Sequence, residues 1–325
     1  IPSSVTSIGN NAFHHCSSLE SVSIPFGITS IGLSTFCNCS SLKSVSIPSS
    51  VTSIGDSAFC NCSSLESVSI PASVASIGVW AFRDCSSLER VNITDVESWC
   101  AISFHSDDSN PLYYAENLYI NGTQITDLII PDGVTCIGDY AFYNCRSLES
   151  VSIPASVTSI GEDAFHNCSS LESVSIPSSV TSIGVSTFYN CSSLESVSIP
   201  SSVTSIGGWA FSGCSSLERV DITDVKSWCA ISFDVYTSNP LYYAENLYIN
   251  GTQITDLIIP DGVTSIGDYA FNNCRGLESV SIPVSVTSIG EDAFHNCSSL
   301  ARVSITDVLS WCAFSFQFDN SNPLY

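Results

Sequence analysis

The chain has 325 residues, 44% of them hydrophobic and only 12% charged, a composition that supports a large core and argues against disorder. Its 31 acidic against 8 basic side chains leave a net charge of −23, which repels nucleic acid and anionic lipid and speaks against both as partners. No stretch reaches the roughly 18 consecutive apolar residues of a membrane span, so no direct membrane insertion of this segment is expected.

Ile1-Pro2 already falls inside a repeat, and no charged leader precedes it, so the chain reads as part of a longer protein whose export signal or anchor lies outside it. Prolines at 2, 25, 48 and 71, then 131, 154, 177 and 200, then 260 and 283 mark a 23-residue period. Within the first coil, Val5 and Ile8 bracket an extended piece closed by Gly9. Ala12, Phe13 and Cys16 follow at spacings that suit about one helical turn. Leu19, Val22 and Ile24 then give L-x-x-V-x-I, with polar Ser23 between the last two, which predicts a short half-buried strand ended by Pro25. One such coil has a single apolar side and cannot stand alone; stacked coils bury each other's Leu, Val, Ile and Phe and pair their strands.

After four coils comes a longer unit of 37 residues, Thr94 to Ile130, repeated at Thr223 to Ile259. Thr94-Asp95-Val96-Glu97 opens it as a T-x-x-E capping box, and Val96, Trp99 and Cys100 follow on one helical face. The second copy has Lys226 in place of the Glu, so only the Thr223 cap is expected there. Leu118-Tyr119-Ile120, the turn pair Asn121-Gly122 and the residues up to Ile130 spell a hairpin. Each long unit therefore reads as one coil carrying an added helix and hairpin, either a cover over a widened coil or a protrusion that binds a partner. The modules run 1–130, 131–259 and 260–325, the last truncated within its own long unit, and together they read as a single solenoid over 1–325.

The motif L-x-x-V-x-I-P followed by V-T-S-I-G-x-x-A-F-x-x-C resembles the 23-residue repeats of the BspA-like (bacterial surface protein A type) leucine-rich repeat family, over essentially the whole chain. The fold expected is a leucine-rich repeat solenoid, with a parallel β-sheet on one face and short helical turns and extended segments on the other. The resemblance implies a cell-surface or secreted protein that adheres to extracellular or host proteins or to other cells.

Cysteine recurs with the same period, at Cys16, Cys39, Cys62 and Cys85, at Cys145, Cys168, Cys191 and Cys214, and at Cys274 and Cys297. A zinc site needs ligands converging at short spacing, and one sulfur per coil forms a line instead. Stacked parallel side chains also aim their sulfurs badly for disulfides, so these thiols are expected to be small apolar plugs. Cys37 and Cys60, just after the Phe, are expected to face outward, where a bridge between them is an open alternative. Cys100, Cys229 and Cys312 follow Trp and are expected in the core. His14, His166 and His295 share the variable post-Phe position with residues of every chemistry, which suggests exposed decoration rather than a catalytic base. Ser106-Asp107-Asp108-Ser109-Asn110 hints at calcium, but Val235-Tyr236-Thr237-Ser238-Asn239 in the second module does not. No catalytic, cofactor-binding or metal motif is present.

The strand face is a ladder of Glu and Ser, which offers few anchors for a tight interface. Its exceptions are Arg90 with Asn92, Arg219 with Asp221, and Arg302 with Ser304, each in the coil before a long unit. They form either recurring ligand sites or ion pairs with the neighbouring Asp95, Asp224 and Asp307. Trp80 and Trp209 are rival anchors on the other face. The readings that remain are an adhesin, gaining avidity from many weak contacts, and a spacer that presents another domain.

Overall fold

In each coil the Val of L-x-x-V-x-I points inward and its Ser neighbours outward, so the segment satisfies its backbone by pairing with the same segment one period away. The computed structural model describes residues 1–306 together with Trp311, Asn322 and Pro323. Asp307, Cys312, Leu324 and Tyr325 lie outside the described residues. The chain divides into two compact units, Ile1–Glu149 with Gly161–Ser170, and Ser150–Ile160 with Leu171–Tyr325.

In the first unit the strands Ser21–Ser23, Ser44–Ser46, Ser67–Ile70, Arg90–Ile93 and Leu118–Ile120 form one parallel sheet. Register is set by the period: Val22 pairs with Val45, Val45 with Val68, Val68 with Val91, and Val91 with Leu118. A second parallel ladder runs through Ser30–Ile31, Ser53–Ile54, Ser76–Ile77 and Ser103–Phe104, so the extended piece of each coil is itself paired. The second unit repeats both ladders, with Val174, Val197 and Val220 leading to Leu247, and Ile183 and Ile206 leading to Phe233.

The Ala-Phe-Cys segment takes the form of consecutive tight turns. Ser57 and Asn61 adopt left-handed φ of 52° and 57°, the conformation Asn tolerates best after Gly. The alternation splits the amides into two sets. Ala58, Cys60 and Cys62 donate back to Gly55, Ser57 and Phe59 at 3.2, 3.1 and 3.2 Å. Ser57, Phe59 and Asn61 donate instead to Val79, Ala81 and Arg83 of the next coil at 2.9, 2.8 and 2.7 Å. A continuous helix would have spent all of these donors within one coil. The close approach this requires explains the Gly after Ile: a Cβ on Gly78 would lie 2.6 Å from the Asp56 amide nitrogen.

Between these layers sits the core. Phe13, Phe36, Phe59 and Phe82 stack in sequence at 5.2, 5.4 and 5.4 Å, and Leu42, Leu65 and Leu88 are buried beside them. The periodic thiols are buried as expected from Cys39 to Cys274, while Cys297 is half-buried and Cys16, in the first coil, is exposed. They are more than plugs. The Cys62 thiol donates to the Phe36 carbonyl at 3.2 Å, Cys85 to Phe59 at 3.3 Å, and Cys214 to Phe188 at 3.2 Å. Burial pushes the Cys214 thiol from its ordinary 9.0 up to about 12.

The post-Phe position departs from expectation. Cys37 is buried, Cys60 is half-buried, and both are free thiols. The slot faces its counterparts in adjacent coils, so neighbours cover it: the Asn38 amide reaches both the Cys37 sulfur at 3.2 Å and His14 Nε2 at 3.3 Å. His166 is likewise packed, stacked on Tyr143 at 4.6 Å with Nδ1 2.5 Å from Asp163. His295 alone of the three is exposed.

In the long unit, α1 (Val96–Cys100) and α2 (Leu112–Ala115) precede the hairpin, in which Leu118–Ile120 pairs antiparallel with Thr123–Gln124. Asn121 and Gly122 turn it with φ of 52° and 79°. The cap of α1 is Asp95 rather than Thr94: its Oδ1 accepts from the Ser98 amide at 2.7 Å. The second unit repeats this with α3 (Val225–Cys229), capped by Asp224 on Ser227 at 2.8 Å, and α4 (Leu241–Ala244). Lys226 in place of Glu therefore removes no capping bond, and the cap expected of Thr223 falls to Asp224. Trp99 and Trp228 are buried, and their indoles donate to the carbonyls of Ala141 and Ala270 at 2.7 Å, fastening each long coil to the ordinary coil after it. Cys100 and Cys229 are in the core, as expected.

Candidate protein-binding surface

The hairpin brings a tyrosine to the outer face of the strand ladder beside each singular arginine. Asn92 pairs in register with Tyr119, and the Arg90 guanidinium lies over the Tyr119 ring at 5.4 Å. Asp221 pairs in register with Tyr248, and Arg219 lies over that ring at 4.3 Å. Here a carboxylate joins the cluster: Asp221 accepts from Arg219 Nε and, at 2.7 Å, from Nη2, a two-pronged contact that pushes the Arg219 pKa further up. Arg219 is half-buried and Arg90 exposed, as expected if the ion pair holds the former down on its ring.

Of the two readings of these arginines, ion pairs with Asp95 and Asp224 are not formed, since both carboxylates cap helices instead. Asp307 lies outside the described residues. Arg302 reaches Asp256, two coils earlier, at 3.4 Å; the Ser279 hydroxyl and then Arg302 hold Asp256 below the usual carboxylate range. Both side chains are exposed, so this pair contributes little to stability. Ser304 pairs in register with Ser281 on the same ladder.

Under the first hairpin tip a cavity of about 500 Å³ is lined by Ser69, Ile70, Asn92, Ile93, Asn121 and Gly122. Its lining mixes isoleucines with residues that carry amides and hydroxyls, and it adjoins the Arg90–Tyr119 pair through Asn92. Trp80 and Trp209 lie elsewhere, in the turn segment, each with left-handed φ and with 47% and 55% of its surface exposed. The structure thus brings Arg90, Asn92 and Tyr119 together, and Arg219, Asp221 and Tyr248 together, and leaves the tryptophans apart from both. Tyr119 and Tyr248 hold the same place in the two long units, but their partnership with arginine depends on the register that the extra long-unit residues impose.

The Asp107-Asp108 stretch is consumed locally: Ser106 Oγ donates to Asp108 at 2.6 Å, and the Asp108 amide to Asp107 at 2.8 Å. Among the described residues no three His, Cys, Asp or Glu side chains converge as a metal site would need, and no helix is long and apolar enough to cross a membrane.

Comparison with protein-family models matches the BspA-type leucine-rich repeat region, in six copies, over residues 1–109, 115–238 and 244–324. The chain belongs to the BspA-type leucine-rich repeat family. Among solved structures it is similar to a leucine-rich repeat protein from Bacteroides ovatus, at 29% identity and a TM-score of 0.65, covering 99% of this chain and 82% of that one. A leucine-rich cell surface protein from Faecalibacterium prausnitzii matches at 27% identity, TM-score 0.42, covering 91% and 90%. A leucine-rich repeat protein from Eubacterium ventriosum matches at 23% identity, TM-score 0.52, covering 93% and 87%. A comparison with curated proteins returned no match.

Proposed function

We propose that this BspA-type chain is a non-enzymatic bacterial protein, displayed at the cell surface or secreted, whose solenoid binds extracellular or host proteins. The observation that carries the reading is the arginine–tyrosine anchor raised by each hairpin, Arg90–Tyr119 in the first unit and Arg219–Tyr248 in the second, on a face made mostly of serine and glutamate and broken by the exposed Ile129 and Ile258. Arginine and tyrosine are among the residues that dominate protein interfaces. Two anchors on one chain gain by avidity what each lacks alone. Membership of a repeat family that is generally non-catalytic supports the absence of chemistry. The blandness of the remaining strand face supports a second reading, a spacer that holds another domain away from the cell.

Immobilised matrix and host-surface proteins separate the two. An adhesin binds them, loses affinity when Tyr119 and Tyr248 are both replaced by Ala, and binds more weakly in high salt. A spacer binds none of them, and that result would overturn the proposal.

A further inference from the structure

The tight-turn segment carries a second set of aromatic residues. In the left-handed position before Ala-Phe, most coils have Ser, Asp or Asn, but the coils on either side of each long unit have Trp80 and Tyr140, then Trp209 and Tyr269. A bulky side chain there gains nothing from the backbone, which disfavours it. In the second unit the long segment fills the space between them. Tyr243 meets Ser212 of the Trp209 coil through its hydroxyl at 3.2 Å and packs against Tyr242 at 5.0 Å. Tyr242 packs against Tyr236 at 5.1 Å, and Tyr236 approaches Tyr269 at 6.5 Å. Trp209 and Tyr236, both about half exposed, are the accessible members of this band.

Carboxylates edge it. Asp234 accepts from the Gly208 amide at 3.0 Å, which fixes it beside Trp209. At the far end, burial first and then Glu291 push the Tyr269 phenol up to about 12, with Asp268 and Asp292 adding to the effect. Asp292 Oδ1 is buried with no hydrogen-bond partner among the described residues, so its charge is left in the cluster's field. Ring faces rimmed by negative charge suit a cation.

The first unit shows what such a cation does. There Arg83 lies over the Trp80 ring at 5.2 Å. Trp209 occupies the equivalent position, but its coil has Ser212 where Arg83 stands, and no cation covers it among the described residues. We infer that the Trp209–Tyr236–Tyr269 band is a docking surface for an arginine- or lysine-bearing segment of a partner protein, whose cation takes on Trp209 the place Arg83 takes on Trp80. The inference is independent of the strand-face anchors.

The test is fluorescence anisotropy of a fluorescein-labelled peptide alternating arginine and glycine, titrated with the full chain at about 0.15 M salt. W209L changes no charge and removes only the ring face; it should weaken binding about two- to fivefold. S212R, which copies the Arg83 cover, should weaken it similarly, and R83S, which uncovers Trp80, should strengthen it. I129A, at an exposed uncharged position on the strand face, should leave it unchanged, and the strand-face assay reads Tyr119 and Tyr248 alone, so this surface and the adhesin anchors can fail separately. Because Trp209 is exposed, W209L should unfold at the wild-type urea midpoint. The inference is overturned if W209L and S212R bind like wild type, if an alternating glutamate–glycine peptide binds as well, or if neutral oligosaccharides displace the arginine peptide.

Discussion

Replacing Cys214 by Ala should make the protein less sensitive to alkali. In the fold the thiol is fully buried and donates to the Phe188 carbonyl, and burial raises its pKa from 9.0 to about 12. Unfolded, it ionises at its ordinary value. Between those two values the unfolded state has lost the proton and the folded state has kept it, so stability falls as pH rises above about 9. At pH 10 one such thiol costs ~1.4 kcal/mol relative to pH 7.5, where the cost vanishes. Urea unfolding in the presence of reductant, followed by far-ultraviolet circular dichroism, measures this directly. C214A should start less stable at pH 7.5 by about 1 to 2 kcal/mol, from the lost contacts and hydrogen bond. Its loss between pH 7.5 and pH 10 should then be smaller than the wild type's by ~1.4 kcal/mol. Equal losses in the two proteins would refute the argument, because the thiol would then titrate alike in both states.

Three further outcomes follow from the geometry. D95A should destabilise by about 0.5–2 kcal/mol through loss of the cap on α1, while T94A should have little effect; the reverse order in urea midpoints would restore Thr94 as the cap. W99F keeps an aromatic ring but takes the 2.7 Å indole donor from the Ala141 carbonyl, leaving it the longer bond from the Asn110 side-chain amide at 3.2 Å, and should cost about 1–2 kcal/mol in the same assay. G78A should cost about 1–3 kcal/mol, since its Cβ would meet, besides the Asp56 carboxylate, the Asp56 amide nitrogen at 2.6 Å and the Gly55 carbonyl carbon at 2.8 Å, backbone atoms that cannot swing away, whereas an Ala at the open Gly9 should be tolerated.

The period made the architecture readable: the Val and Ile spacing is local, repeated, and fixes both faces of each strand without knowledge of the neighbours. What it concealed depends on neighbours. Thr94 and Asp95 are equally good caps by chemistry, and only the helix start decides between them. The tight turns share their apolar spacing with a helical turn, and they differ in sending alternate amides to the next coil. The post-Phe slot varies freely in composition, which suggested exposure, yet most of its side chains are at least partly covered by neighbouring coils, as Tyr143 is by His166, and only Arg83 and His295 among the described ones are exposed. The arginine partners were missed because the ion-pair reading followed chain proximity, whereas the long unit places a tyrosine in the next register position.

The alternating amides of the turn segment bear on how such a gene can change length. Each ordinary coil presents to the next the same donors that it accepts from the one before, so replication slippage that adds or drops a whole coil leaves two matching surfaces in contact. The long unit lacks that freedom: the coil after it carries, next to its periodic cysteine, an arginine where the other ordinary coils have serine, and that arginine pairs back to the long unit, Arg146 to Glu116 at 3.1 Å and Arg275 to Glu245. Recombination can therefore vary the run of ordinary coils between hairpins, and with it the spacing of the anchors they raise, while each hairpin and the coil after it are inherited together.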